Sequence, residues 1–369
     1  MGGTSPEIVE VRNWRARRLF LRLPWRLYRH DPAWVAPLRI ELARRIDPRK
    51  NPYFRHGEAA LFLARAGREV VGRISAQVER AASEGAFGFY EAVDDQTVAD
   101  TLLGAASEWL RRRGVGKVMG PCNFRLEDPA PGFLTRGFDL PPAFMMAYSK
   151  PHYPSQLERA GFTTVMDLHS YCVDKEHPLP QGLLDRADQA AAIPGLRIRQ
   201  LQMERLFDEA ELLRGIFNGA LKNNWGFVPF SAAQARQMAR DLKMLADPRI
   251  VLIAEVENRP IGAVINLPNY NDILADCNGR LFPKGLYRLW RCRHRIRGLR
   301  GYAMGILPDY QGHGVGCLLI REAHTRGMAA GYTYGEITWV LGSNKGMNEL
   351  AQYLGGQQQK GYRLYQRTL

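Results

Sequence analysis

The stretch Tyr302-Ala303-Met304-Gly305-Ile306-Leu307-Pro308-Asp309-Tyr310-Gln311-Gly312-His313-Gly314-Val315-Gly316 reads as a strand, a break and a glycine-rich turn that opens a helix. Apolar residues run up to Leu307, and Pro308 cannot donate to a sheet ladder. Glycines at 312, 314 and 316 let the backbone approach a ligand closely. Val315, Leu318, Leu319 and Ala323 then recur at helical spacing and turn one face to a core. The amides of that helix N-terminus point out of the turn, and with the helix dipole they form an anion site. A Walker loop would need Gly-Lys-Ser/Thr, which is absent. A dinucleotide fingerprint would need GxGxxG after the first strand of a doubly wound sheet, whereas this turn follows a late strand and has the wrong spacing.

Outward from the turn, the second half of the chain reads as an ordered series of elements. Residues 196–201 suit a strand, residues 204–221 a helix, and residues 231–245 a helix capped by Ser231. A hairpin follows, with Val251-Leu252-Ile253-Ala254-Glu255 and Pro260-Ile261-Gly262-Ala263-Val264-Ile265 around Glu257-Asn258-Arg259. Then come the strand at 302–307, the helix at 312–330, a strand at 336–341, a helix from about Lys345 and a strand near 361–366. The order is β-α-α-β-β-β-α-β-α-β.

The hairpin has an earlier counterpart. Leu61-Phe62-Leu63-Ala64, Gly67-Arg68 and Val70-Val71-Gly72-Arg73-Ile74 repeat its layout, and one offset of 190 residues carries both Ala64 to Ala254 and Gly72 to Gly262. Tyr153–Phe162 and Met347–Gly356 also correspond, each a short helix stopped by glycine. The chain therefore reads as duplicated. Clustered prolines 178, 180 and 194 mark residues 176–194 as a linker between a first domain, 1–175, and a second, 195–369. In the first fifty residues, Pro24, Pro32, Pro37 and Pro48 are expected to cut the chain into short helical pieces.

Composition excludes several classes. With 46% apolar and 24% charged residues the chain is globular, and no run approaches the roughly 18 apolar residues of a membrane span. The first ten residues carry no secretory pattern, so a cytoplasmic location is expected. Five scattered cysteines without ligand spacing argue against disulfides and a structural metal. The formal charge of +14 favours anionic partners.

Gln311-x-x-Gly314-x-Gly316, with Ile306-Leu307-Pro308-Asp309-Tyr310 before it, resembles the signature of the GCN5-related N-acetyltransferase (GNAT) superfamily. The element order is also that family's. The resemblance covers residues 196–369. The first half looks like a degenerate copy, because residues 90–113 offer no Gln-x-x-Gly-x-Gly. The implied fold is α/β (α+β): two tandem GNAT-like domains, each a mixed sheet flanked by helices.

The resemblance implies an acyl-CoA-dependent N-acyltransferase, with acetyl-CoA or another acyl-CoA as co-substrate and no metal. Gln311, Gly312, His313, Gly314, Val315 and Gly316 would hold the pyrophosphate, and the backbone of Gly305, Ile306 and Leu307 the pantetheine arm. An amine would attack the acyl carbonyl directly in a ternary complex. Asn344 matches the start of the family's Asn-x-x-Ala-x-x-x-Tyr helix. Met347 then stands for the alanine and Ala351 for the tyrosine that protonates the leaving thiolate. Tyr353, Tyr362 or Tyr365 would have to replace it, Tyr353 being the residue chosen. The strand before the loop has no carboxylate, so Glu336 is the candidate base. Asn224 and Trp225, on the connection between the first two helices, are candidate acceptor contacts.

The expected partner is a small-molecule amine, the protein being a monomer or homodimer. One alternative is an aminoacyl-tRNA-dependent transferase. Arg288, Arg291, Arg293, Arg295, Arg297 and Arg300, with the basic residues between 12 and 50, would supply its phosphate contacts. A second is a non-catalytic CoA-binding protein. Residues 14–28 mix arginine with apolar side chains, and ordinary packing rather than membrane association is expected of them.

Overall fold

The structure, a computed structural model, describes residues 6–80, 82–124 and 131–369. In chain order the first elements are β1 (Glu7–Glu10), α1 (Trp14–Leu27), α2 (Arg39–Arg45), β2 (Gly57–Ala66), β3 (Glu69–Glu79), β4 (Glu84–Ala92) and α3 (Gln96–Arg111). They are followed by β5 (Lys117–Gly120), β6 (Phe133–Arg136), α4 (Tyr153–Arg159) and β7 (Thr163–Asp174). Next are α5 (Gln181–Ala191), β8 (Leu196–Gln200), α6 (Leu206–Ala220), α7 (Ala232–Leu245), β9 (Val251–Val256), β10 (Arg259–Pro268), α8 (Asn271–Leu274) and α9 (Leu286–Arg291). The chain ends with β11 (Gly298–Ile306), α10 (Val315–Ala329), β12 (Tyr334–Leu341), α11 (Lys345–Tyr353) and β13 (Gln357–Thr368).

These elements form two compact units that are discontinuous in sequence. Unit 1 takes the described residues of Met1–Leu168 with Ile273–Arg291 and Lys360–Leu369; unit 2 takes His169–Asp272 and Cys292–Gln359. The sequence reading divides the chain into contiguous halves around 176–194, but strand pairing crosses that division. Tyr365 lies opposite Gly120 of β5, so the last strand completes the sheet of unit 1. Residues 181–191 form α5, whose Ala187 and Ala190 pack against Leu318 of α10 within unit 2.

In unit 1 the strand order is β1-β2-β3-β4-β5-β13, and α3 buries Leu102, Leu103, Ala106 and Leu110 against that sheet. Asp95 caps α3, accepting from the Thr97 amide at 2.8 Å. Contrary to expectation, Pro24 does not divide its segment: it sits inside the fourteen-residue α1. A proline there leaves the carbonyl four residues back without its helical partner. The buried Arg73 of β3 supplies one, donating from Nη1 to the Phe20 carbonyl at 2.7 Å.

Unit 2 orders its strands β7-β12-β11-β10-β9-β8. Ser231 and Gln234 close a capping box at the start of α7, an arrangement that stabilises by about 1 kcal/mol. Val315 and Leu319 of α10 bury against Leu252, Ala254 and Ile261 of the β9–β10 hairpin. That hairpin and β2–β3 share one register, Ala254 opposite Gly262 and Ala64 opposite Gly72. The duplication read from the sequence is thus present at the level of strand pairing.

Candidate functional site

Strand β11 is held antiparallel to β10 along its length, from Leu299 opposite Pro268 to Ile306 opposite Gly262. On its other edge it pairs with β12 in parallel for only four positions, Gly298↔Tyr334 to Gly301↔Ile337. The two strands run on to Ile306 and Leu341 outside that register, and the sheet opens between them. A cavity of about 410 Å³ occupies the opening, within the range of small-molecule sites. Its wall is mostly apolar, including Met304, Ile320, Ile337, Leu341, Met347 and Leu350, with a polar minority that includes Asn224, Asn266, His324, Glu336 and Thr338.

At the end of β11 the glycine turn is built by local constraints. Gly312 and Gly314 have φ of +81° and +78°, a region that other residues enter at a cost. Gly314 is the N-cap of α10 and no side chain caps that helix. Gln311 donates from Nε2 to the Ile306 carbonyl at 2.9 Å and ties the turn to the strand end. A Cβ on Gly312 would meet nothing within 4 Å, so this part of the turn is open to a ligand. At Gly314 a Cβ would lie 2.4 Å from the Arg186 carbonyl of α5. The absent side chain there makes room for a helix. Gly305 likewise accommodates α6, since a Cβ on it would lie 3.0 Å from Phe217 and Ala220. His313 is exposed, and Val315 is buried beneath the turn.

Glu336 is buried on β12 in the cavity wall and accepts from the Ser170 hydroxyl at 2.5 Å. Arg300, directly across the β11–β12 register, is fully buried, with Nε donating to Thr338 Oγ1 at 3.1 Å and its guanidinium over Trp339. It therefore leaves the set of surface arginines to which the sequence reading assigned it. Asn344 accepts from the Met347 amide and caps α11 while lining the cavity. Asn224 also lines it, and Trp225 is half-buried outside the lining. Tyr353 is 52% exposed and sets its hydroxyl beside Gly182 of α5, away from the cavity wall. Ala351 is buried on α11, and a residue two positions on faces the other side. Tyr362 and Tyr365 belong to the strand segment of unit 1.

No protein-family model matches the sequence. Over 375 aligned residues it is 35% identical to "Bacterial ceramide synthase" of Caulobacter vibrioides, covering 98% of this chain and 97% of that protein. It is 33% identical to "Protein YghO" of Escherichia coli, with 95% and 93% covered. The chain belongs to the family of these two proteins. Its fold matches a tandem GNAT protein from the clavulanic acid biosynthesis pathway with a TM-score of 0.60 at 13% identity, covering 98% of each chain. The tandem GNAT-like fold expected from the sequence is therefore the fold of this chain.

Within this family member, two groups of polar residues escaped the sequence reading. His324 lies on the α10 face that also carries Ile320, Ala323, Gly327 and Met328 to the cavity, and burial pushes its imidazole below the ordinary value of 6.5. The i, i+3, i+4, i+7, i+8 spacing of these residues was a usable signal. His169 Nδ1 and the Tyr171 hydroxyl of β7 both meet Asn348 Oδ1, at 2.9 and 2.8 Å, and the Tyr171 ring packs against Ala351. A phenol from β7 thus stands beside the position where the sequence motif lacks its tyrosine. No local pattern announces that contact, because 180 residues separate Tyr171 from Ala351.

Proposed function

We propose that this protein is an acyl-CoA-dependent N-acyltransferase that transfers its acyl group to the primary amine of a long-chain amino alcohol. The observation carrying the proposal is the opening of β11 from β12 beside an uncapped glycine turn, with a largely apolar cavity in the gap. The relationship to a protein named for ceramide synthesis supports the choice of acceptor, since ceramide is a sphingoid base acylated on nitrogen.

The open face at Gly312 and the uncapped α10 terminus fit a pyrophosphate, with the amides of residues 312–316 as donors. Gly305, Ile306 and Leu307 would run along the pantetheine arm on the edge that β12 leaves free. In the reaction the amine nitrogen attacks the thioester carbonyl, the C–N bond forms as the C–S bond breaks, nitrogen loses a proton and the thiolate gains one. Glu336 and the neutral His324 are wall groups suited to take the amine proton. Tyr171, buried behind the wall with its hydroxyl donating to Asn348, would position α11 and not reach sulfur, so the proton taken from the amine would return to the thiolate through these wall groups or solvent. Asn224 and Asn266 offer polar contacts for the acceptor's head, and the apolar wall suits a chain.

The test is thiol release by the purified protein with acyl-CoAs of increasing length and an amine panel that includes a sphingoid base. Release rising with acyl length and requiring the long-chain amine is expected. CoA binding without release above background for any amine would leave a binding module. Salt-sensitive tRNA binding without CoA affinity would overturn the donor assignment in favour of the tRNA-dependent alternative.

A further inference from the structure

Among the described residues no helix is long and apolar enough to cross a membrane, yet unit 1 leaves an apolar surface uncovered. On α1, Phe20 and Leu23 face the core, whereas Trp14 is 67% exposed and Leu19 46%. Ordinary packing therefore accounts for only one side of this helix. The helix also carries Arg15, Arg17, Arg18, Arg22 and Arg26 and no acidic residue; Arg17 and Arg26 pair with Asp47 and Glu69. The second part of the surface is the segment Leu281–Arg291, where Phe282 is 80% exposed and Trp290 78%, with Leu286 and Tyr287 exposed between them. Lys284, Arg288 and Arg291 interleave with these side chains with no acid inside the segment, Arg288 pairing with Asp276 just before it at 2.6 Å.

The two parts are joined. Trp25 Nε1 donates to the Asn278 carbonyl at 3.2 Å, the Arg39 amide donates to the Gly279 carbonyl at 2.9 Å, and the Arg39 guanidinium stacks over Trp25 at 4.7 Å. At this junction burial of Arg39, and then repulsion from Arg280 and Arg22, pull its guanidinium below the ordinary value. Three cations held together, one of them half-buried, form a setting that an anion would relieve. Beside them a groove of about 330 Å³ runs between Trp14, Arg18, Arg22, Trp25 and Arg39.

We propose that this surface of unit 1 docks on an anionic phospholipid bilayer, its aromatic and aliphatic side chains entering the headgroup layer and its arginines meeting lipid phosphates. Tryptophan and tyrosine favour that depth, since an apolar ring and a polar edge suit the interface. Arginine stems bury against apolar surface while the guanidinium stays at the phosphates. A nucleic acid would equally meet the charge, but Leu19, Ile40, Phe282 and Leu286 would gain nothing against a phosphate backbone. The proposal departs from the expectation of no membrane partner and does not depend on the reaction proposed above.

Vesicle flotation of the full chain tests it, with phosphatidylcholine vesicles compared with vesicles containing phosphatidylglycerol. Binding is expected to the anionic vesicles and to weaken with salt. Each of Arg18→Gln and Arg22→Gln should lower the partition coefficient about fivefold. Phe282→Ser with Trp290→Ser should abolish flotation while leaving turnover of detergent-dispersed substrate unchanged, which separates docking from chemistry. Equal flotation with both vesicle types, none with either, or a double variant that floats like the parent would overturn the proposal. So would a double variant whose only change is conversion of a dimer to a monomer, since the surface would then belong to a second copy.

Discussion

The two units of this chain place the same elements at the same point and treat them oppositely. In unit 1, β4 pairs in parallel with β5 over Glu84↔Lys117 to Ala86↔Met119 and leads to α3; in unit 2, β11 pairs with β12 over four positions and leads to α10. Beyond those registers unit 1 is filled. The Cys122 amide donates to the Phe87 carbonyl at 2.7 Å, the Phe89 amide to Asn123 Oδ1 at 2.8 Å, and a Cβ on Gly88 would fall 2.1 Å from the Cys122 carbonyl. Phe124 closes the space against Phe89 and Tyr53. The helix termini differ in the same sense. Asp94 precedes Asp95, whose carboxylate already accepts from the Thr97 amide of α3, whereas α10 begins at a glycine with no side-chain cap. Unit 1 has packed the opening and given its helix terminus to an acid. Unit 2 has done neither.

The strongest way to break this contrast is to pack the opening of unit 2 as unit 1 is packed. Gly335 lines the cavity, has ordinary strand backbone, and a Cβ on it would meet nothing within 4 Å. Gly335→Phe should therefore fold, because it fills space and removes no contact. Loss of long-chain acyl transfer by about 100-fold or more is expected, through displacement of the donor from its reacting position. Gly335→Ala, which leaves the space open, should stay within a few-fold of the parent. Comparable rates for the phenylalanine variant would mean that the cavity holds neither the donor nor its chain.

The second way copies the acid of unit 1 to the turn of unit 2. Gly314 is unsuited, since any side chain there collides with the Arg186 carbonyl. Gly312→Asp and Gly312→Asn carry similar backbone cost at φ +81° and differ chiefly in charge. The aspartate variant should bind CoA about tenfold more weakly than the asparagine variant at low salt, by calorimetry. Equal affinities would remove the pyrophosphate from this turn.

Much of this contrast is written locally in the sequence. The glycine turn, the capping box at Ser231 and the paired hairpins depend on residues within a few positions of one another, so composition and spacing expose them. What the sequence hides is set by partners far along the chain. Pro24 stays in a helix because Arg73 satisfies the Phe20 carbonyl from β3. Gly314 is small on account of α5, a helix lying in what reads as a linker. The exchange of strand segments at 169 and 360 follows from sheet pairing, which leaves no mark on either segment's pattern. At the site the turn and Glu336 were legible as residue types, but the cavity wall was not, because it is assembled from β7, α10, β12 and α11 together.

The smallest effect comes from reversing the acid in unit 1. Asp95→Ala removes a single exposed cap from α3, so thermal unfolding should register a loss of about 1 kcal/mol. The terminus it frees resembles that of α10 in lacking a side-chain cap. Even so, the variant should gain no second CoA site, because Phe89, Asn123 and Phe124 still occupy the space between β4 and β5. A stoichiometry that stays at the parent's value would show that packing, more than the carboxylate, silences this copy. A second equivalent of CoA bound by Asp95→Ala would reverse that order, leaving the acid as the principal block and the aromatic plug as a secondary change.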